Sequence, residues 1–387
     1  MTRSAVEKTG SGPVHGELSR RLAEKRRAAS YALHVLTYLA TAEATDTTAA
    51  FLSTWGASLA PQITVRTYEE IARVDVLPAG AYVFSDLERL SDDGLRLAGR
   101  LWSRLAEASP ERPPLNDPSL HRRRGDLLRV LTDAGINRFH VHRAGDSPES
   151  WRYPVFLRYE REHWGPMTAP QATPAAVRRT LRRARLIGHR VSDLLAIEFC
   201  DTVGEDGLYR KYGAYVVGDQ IIPRQLFFSH GWVIRLPDEV SADAIREERE
   251  YLEANPHREV LAEVARLARV EYGRIDYGLF DGRVQVWEIN TNPLLIRPIQ
   301  GYRPEERPNQ QFFAAAIVAA LASLASTPVG GEVSVGDLWE GRPWPSRVPG
   351  VGTRRGRAAS AAARKWPWIR RGVPGRRQVD IVTTRST

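Results

Sequence analysis

Asp276, Glu288 and Asn290 are the residues of this chain whose types and spacing most directly offer chemistry. They lie in EYGRIDYGLFDGRVQVWEINTNP, residues 271–293. Two runs of strand-forming residues, GRIDYGLF and RVQVWEI, flank Asp281-Gly282, the dipeptide best suited to a tight hairpin turn. Strand alternation sets Glu288 and Asn290 on one face of the second arm, and the fold-back brings Asp276 of the first arm near them. Two carboxylates and an amide oxygen gathered in this way are hard ligands. They suit Mg²⁺ or Mn²⁺, with the remaining positions left to water and phosphate. Bare charges inside such an apolar run would be costly without a partner of this kind.

Two cations stand out for position. The lysines fall at 8, 25, 211 and 365, so Lys211 is the only one between residues 26 and 364. In a chain that otherwise uses arginine, a lone interior lysine hints that an ammonium is needed there. Arg224 follows Pro223 inside the apolar run QIIPRQLFF, where an unpaired guanidinium would be expensive. It faces either an anionic substrate, stabilising charge as that develops, or a structural salt bridge. His230 and His257 show no ligand spacing. Cys200 is the single cysteine, which excludes an internal disulfide and a multi-cysteine zinc site.

The elements that would position these groups read as an α/β chain of several modules. Residues 1–29 form a basic arm. An apolar helix is expected from Tyr31 to about Ala44. QITVRTYEEIARV and AGAYVFSDLERL then each pair a strand with a helical turn, and an amphipathic helix opens near Ser91. Alternating β and α elements suggest a small parallel layer over residues 30–112, without a GxGxxG loop. PERPPLNDP at 110–118 is a boundary. A helix stopped by Gly135 follows, then a helix over 174–189 whose five arginines face solvent. LLAIEFCDT at 194–202 is an apolar strand, and 209–228 is a hairpin turning at Gly218-Asp219. Two amphipathic helices lead into the 271–293 hairpin, and an Ala-rich buried helix over 311–325 closes the fold.

Asp276, then Glu288 twelve residues on, then Asn290 and Pro293 in EINTNP, resemble the metal-binding end of an ATP-grasp domain. The resemblance covers roughly residues 110–325. It implies a Rossmann-like module followed by a two-lobed ATP-grasp domain with antiparallel sheets, the N-lobe over 113–193 and the C-lobe over 194–328. It implies ATP and Mg²⁺, and a ligase that joins a small-molecule or peptide carboxylate to an amine through an acyl phosphate. NDP…AGI and YPVFLR match family outlines, with Arg124 and Arg158 where the family carries phosphate-binding lysines. The swap keeps the charge but changes the geometry. The segment after Arg158, YEREHWGPMT, lacks the usual Gly-rich loop. Glu198, then Asp201, match the acidic strand end whose surroundings bind adenine and ribose. Lys211 and Arg224 match the cations that enter and leave the hairpin before the metal site, placing them against phosphate and reacting groups. Phosphotransfer to a hydroxyl, or nucleotide or partner binding without catalysis on a degenerate scaffold, are the alternatives.

Composition narrows the partners. Nine Arg or Lys and no acid lie between Thr353 and Val379, which equals the whole formal charge of +9. The remainder is neutral and carries no general bias toward nucleic acid. The segment 329–387 reads as a disordered basic tail whose WPWIRR could meet an anionic partner weakly, RNA or a membrane surface. The N-terminal residues lack the apolar stretch of a secretory signal, and 312–325 is too short and Ala-rich to span a bilayer, so a cytoplasmic location is expected. Nothing in the sequence sets an oligomeric state.

Overall fold

The apolar runs near Leu36, Ile63 and Ala81 are short, bounded by polar or helical stretches, and pair side by side. The computed structural model describes residues 36–161, 165–325, 331–339 and 344–345. β1 (Leu36–Ala40), β2 (Ile63–Thr67) and, past the short β3 (Val76–Pro78), β4 (Ala81–Phe84) make a three-stranded parallel sheet in the order β2-β1-β4. The 92–108 helix starts where Ser91 Oγ accepts from Gly94 N at 3.0 Å, and it buries Ala98, Leu101 and Leu105 in this module. The helix expected from Tyr31 to Ala44 is corrected here. LTYLA is the central strand β1, buried on both faces. A strand buried on both sides shows no alternation and cannot be told from a buried helix by periodicity.

The tail is corrected as well. Residues 332–334 form β12, antiparallel to β3, and a helical turn follows over Gly336–Trp339. Trp339 Nε1 donates to Val74 O at 3.0 Å, and Trp344 stacks on Tyr68 at 5.0 Å. The average composition beyond 329 concealed the alternating valines and the tryptophans of this segment, which cover the core of the first module. The arm 1–29 and the basic run 353–379 lie outside the described residues.

Next come β5 (Val141–Arg143), β6 (Val155–Tyr159) and β7 (Leu194–Glu198), an antiparallel sheet in the order β5-β7-β6. β7 is its middle strand, so this lobe extends past the boundary expected at 193. Val155, Leu157, Leu194 and Ala196 pack on the Pro174–Leu186 helix through Val177, Leu181 and Ala184. Leu195 and Ile197 point the other way, toward Leu128 of the Arg124–Asp133 helix.

β8 (Tyr209–Val217), β9 (Gln220–Ser229), β10 (Tyr272–Phe280) and β11 (Arg283–Asn290) form the larger antiparallel sheet, ordered β11-β10-β8-β9. The helices Ala242–Ala254 and Arg258–Ala268 cover one face. Helix Arg307–Ala325 seats Phe313, Ile317 and Leu321 in the core that joins this sheet to the first module. By length and composition alone, Pro304–Ala325 would also suit a membrane crossing.

The β10–β11 turn adopts the form its dipeptide demands, with φ of 50° at Asp281 and 70° at Gly282. A Cβ at Gly282 would meet nothing within 4 Å, so only backbone strain opposes it. Gly282→Ala is therefore expected to cost about 1 kcal/mol, read as a lower urea midpoint at unchanged slope. An unchanged midpoint would contradict the turn assignment.

Candidate active site

A β-bulge decides which way Glu288 points. Asp276 pairs with Glu288 but Tyr277 pairs with Val286, so Trp287 is the extra residue. Unbroken alternation would carry Glu288 onto the face of Val284 and Val286, which is buried in the helical core. The bulge shifts the phase by one and turns Glu288 to the side of Asp276. Asn137 holds the place: its Oδ1 accepts from Val286 N at 2.8 Å and its Nδ2 donates to Val286 O at 3.2 Å. A second bulge does the same for Arg224, the extra residue between the pairs Gly213–Gln225 and Ala214–Pro223.

Each carboxylate is gripped by two cations. Asp276, 1% exposed, meets Lys211 Nζ at 2.7 Å and Arg274 Nε at 2.6 Å. Burial pushes the Asp276 carboxyl up, but Arg274 and then Lys211 overcome this and hold it below the usual range. Glu288 meets Arg124 at 2.6 Å and Arg158 at 3.1 Å. Burial, then the neighbouring Arg124, lowers the Arg158 guanidinium to about 10 despite the opposing pull of Glu288. Arg158 Nε is buried with no hydrogen-bond partner among the described residues. Arg158, Lys211 and Arg274 share a wall with the two carboxylates and leave it positive, which suits a polyanion. Arg124, expected at the phosphates, instead reaches Glu288 from a separate small cavity.

The wall belongs to a cavity of about 360 Å³ between the lobes, lined by Arg158, Lys211, Arg274, Asp276, Glu288 and Asn290 at one end. The other end is aromatic. Trp232 lies 5.0 Å from Phe156 and 5.3 Å from Phe199, beside Ile197 and Cys200. Such an apolar slot next to a basic wall fits a flat base carrying phosphates. Trp232, Phe156 and Arg274 escaped the sequence reading. Arg274 had a signal, since it lies two residues before Asp276 on the same face of β10. Trp232 had none, because its loop carries no pattern.

Other expected site residues lie differently. The Glu198 side chain shares the face of Leu194 and Ala196, away from the aromatic slot. It accepts from His140 N at 2.9 Å and Arg152 N at 3.1 Å, and it meets His142 Nε2 at 3.3 Å and the Arg152 guanidinium at 2.9 Å. Burial raises its pKa, but these bonds, His142 first, pull it well below the usual carboxylate range. The carboxylate ties β5 and the 151–155 segment to β7, which corrects the expectation that it reaches ribose. Glu198 itself is still among the residues that line the cavity, where β7 ends. Asp201 is exposed, accepts from Val203 N at 3.3 Å and is not part of the cavity wall. Arg224 lines an adjoining cavity instead, where its donors go to Leu295 O, Gln310 and Tyr302. A structural salt bridge is thereby excluded among the described residues.

Among the described residues no group of three or more His, Cys, Asp or Glu could hold a metal ion. Asp276, Glu288 and Asn290 supply two carboxylates and an amide oxygen across one hairpin. That donor set fits Mg²⁺ only if phosphate and water complete the shell, as this ion prefers. Asn290 Oδ1 already accepts from Asn292 N at 2.9 Å and keeps a second lone pair.

The strand end beyond Asn290 is anchored to the first module. Thr291 Oγ1 accepts from Leu87 N at 3.0 Å and bonds Glu88, while Asn292 accepts from Tyr38 Oη at 3.0 Å. Burial, then neighbouring Asp86, pushes the Glu88 carboxyl from 4.5 up to about 7. The folded state thus favours protonated Glu88. That stability is full below 4.5 and is lost as pH rises through about 7. Glu88→Gln is expected to melt higher than wild type at pH 8, by on the order of 2 kcal/mol, with a smaller gain at pH 5. A variant that melts lower at pH 8 would contradict this.

No family model matches the chain, and no curated protein matches it. Among solved structures, the ATP-grasp ligase PsnB with a phosphomimetic variant of its minimal precursor, Mg and ADP is similar over 76% of this chain and 97% of its own. The identity is 13% and the TM-score 0.46. D-alanine–D-alanine ligase from Bacillus anthracis complexed with ATP is similar over 77% of this chain and 100% of its own, at 10% identity and TM-score 0.43. The same enzyme from Coxiella burnetii is similar over 76% and 98%, at 12% and 0.42. A parallel first module thus precedes a three-stranded and a four-stranded antiparallel sheet that flank one charged cavity, the arrangement expected from the sequence.

Proposed function

We propose that this chain is an ATP-dependent, Mg²⁺-requiring ligase that joins a carboxylate to an amine through an acyl phosphate. The observation that carries the reading is the cavity with an aromatic slot and, beside it, two carboxylates opposed by Lys211, Arg274 and Arg158. Adenine enters the Trp232 slot and its edge meets the backbone where β7 ends. Arg158, with an uncommitted Nε, and Lys211 take the phosphates. Asp276, Glu288 and Asn290 would hold Mg²⁺, which when bound neutralises phosphate charge during transfer.

In this scheme a substrate carboxylate oxygen attacks the γ-phosphorus as the bond to ADP breaks, and ADP carries away the electron pair. The amine then attacks the acyl carbon, phosphate leaves with the C–O pair, and the amine proton passes to solvent or phosphate. Lys211 borders both this cavity and the adjoining one, so its ammonium is positioned to steady charge on the transferring group. No side-chain nucleophile is required.

One observation favours a second reading. Both oxygens of Asp276 are already engaged by Arg274 and Lys211, as suits a scaffold that binds nucleotide without turning it over. The test is ADP release in the presence of Mg²⁺ with panels of carboxylates, amines and alcohols. Release that needs both a carboxylate and an amine supports ligation. Release with an alcohol alone would show phosphotransfer, and nucleotide binding without release from any panel would favour the non-catalytic reading.

A further inference from the structure

Beside the nucleotide cavity opens a second one of about 150 Å³, and the two share Lys211, Arg235 and Arg274. Its deep wall includes Arg224, which is 5% exposed. A guanidinium has five N–H groups. Arg224 sends Nε–H to Leu295 O at 2.8 Å, one terminal N–H to Gln310 Oε1 at 2.8 Å and one to Tyr302 Oη at 3.1 Å, and its plane lies over Phe313 at 4.5 Å. Every one of these partners is neutral, and Arg224 makes no ion pair among the described residues. Two terminal N–H groups, one on each nitrogen, find no acceptor there.

Arg297 lines the same cavity over the ring of Tyr302, also without an ion pair among the described residues. The nearby acids are partly committed. Glu248 accepts from Leu226 N and Asn309 Nδ2, and Glu306 accepts from Arg303 N; Glu239 is the third acid on the wall. A buried guanidinium with neutral partners and a vacant pair of donors is half of a carboxylate fork. Glu248 lies close enough for the Arg224 charge to act on it but forms no ion pair with it, so an anionic ligand would supply the direct partner that the buried guanidinium lacks.

Resting on the reading of the first cavity as the nucleotide site, we infer that the second binds a substrate carboxylate that does not react. Its anion sits on the Arg224 fork beside Arg297, and its reacting group turns toward Lys211, where the cavities meet. Two ligands share this chemistry: the second carboxylate of a dicarboxylate donor, and the carboxylate of an amino-acid acceptor.

The test is calorimetry on the full chain with Mg²⁺ and a non-hydrolysable ATP analogue. Glutarate is titrated against butyrate, and glycine against methylamine. In at least one pair the member with the extra carboxylate, glutarate or glycine, should bind about 10-fold or more tightly than its partner, and the pair that discriminates assigns the source. Arg297→Met, at a half-exposed position, and Arg224→Lys, which keeps the charge but loses the fork, should each erase most of that preference while the analogue still binds. Equal binding within both pairs, no binding of any of the four, or a preference that survives both substitutions would overturn the inference. Titration of the analogue alone reports separately on the nucleotide site. If it fails to bind while the carboxylate preference persists, the nucleotide reading falls, and with it the ligand's role as a ligase substrate, while the carboxylate site itself stands.

Discussion

Replacing Glu288 by Gln is expected to abolish Mg²⁺-dependent turnover of ATP, by about a thousandfold or more, and to lower the melting temperature at the same time. The first effect follows if Glu288 is, as proposed, one of two carboxylates that would face Mg²⁺, where several kcal/mol of charge stabilisation are at stake. The second follows from the two guanidiniums that grip Glu288. Arg124 and Arg158 have side chains only 7% and 10% exposed. A neutral amide would remove the carboxylate charge that both guanidiniums share, and breaking a buried pair costs about 3–5 kcal/mol. On the usual scaling the melting temperature then falls by on the order of 10 °C. Adding Arg124→Gln removes one of the two guanidiniums that then repel each other, so the double variant should recover part of the melting temperature and none of the turnover. Thermal melts and ADP release on the three proteins check this. Wild-type turnover in a folded Glu288→Gln protein would remove Glu288 from the site.

Asn116→Ala is expected to be the most destabilising substitution outside the cavity, by about 3–5 kcal/mol. Asn116 is 1% exposed, and its side chain ties three segments together. Its Nδ2 donates to Phe84 O at 2.9 Å and Tyr272 O at 2.8 Å, and its Oδ1 accepts from Glu271 N at 2.8 Å and Tyr272 N at 2.9 Å. β4 of the first module, the 110–118 linker and the start of β10 are thereby joined. Alanine would leave those backbone groups buried and unpaired, and it would also sit at φ of 63°. Asn116→Gly relieves the backbone strain but not the lost bonds, so it should recover only about 1 kcal/mol. Urea unfolding of the two variants separates the contributions. A loss below about 1 kcal/mol for Asn116→Ala would show that the junction does not depend on this side chain.

Much of the 271–293 hairpin was legible because Asp281-Gly282 and the flanking strand formers are strong local signals. The bulge at Trp287 was not. It depends on Asn137, which is far away in sequence, and it alone decides that Glu288 faces the cavity. Lys211 was singled out from its rarity, yet its partner Asp276 emerges only from the pairing of β8 with β10. Glu198 misled for the converse reason. A carboxylate at the end of an apolar strand carries a clear local signal, but its five donors come from His140, His142 and Arg152, which only the sheet brings together. β1 was misread because burial on both faces erases alternation, and the ordered part of the tail because its few apolar residues are diluted by arginine, glycine and proline.

The account rests on Asp276 and Glu288, with Lys211, Arg274 and Arg158 in the same wall, existing to hold a triphosphate through a divalent ion. Calorimetric titration of the full chain with ATP, in Mg²⁺ and in EDTA, addresses this most directly. ATP should bind with Mg²⁺ and at least about 10-fold more weakly without it, and Asp276→Asn should erase that difference. Equal affinity with and without Mg²⁺, or no binding at millimolar ATP, would contradict it.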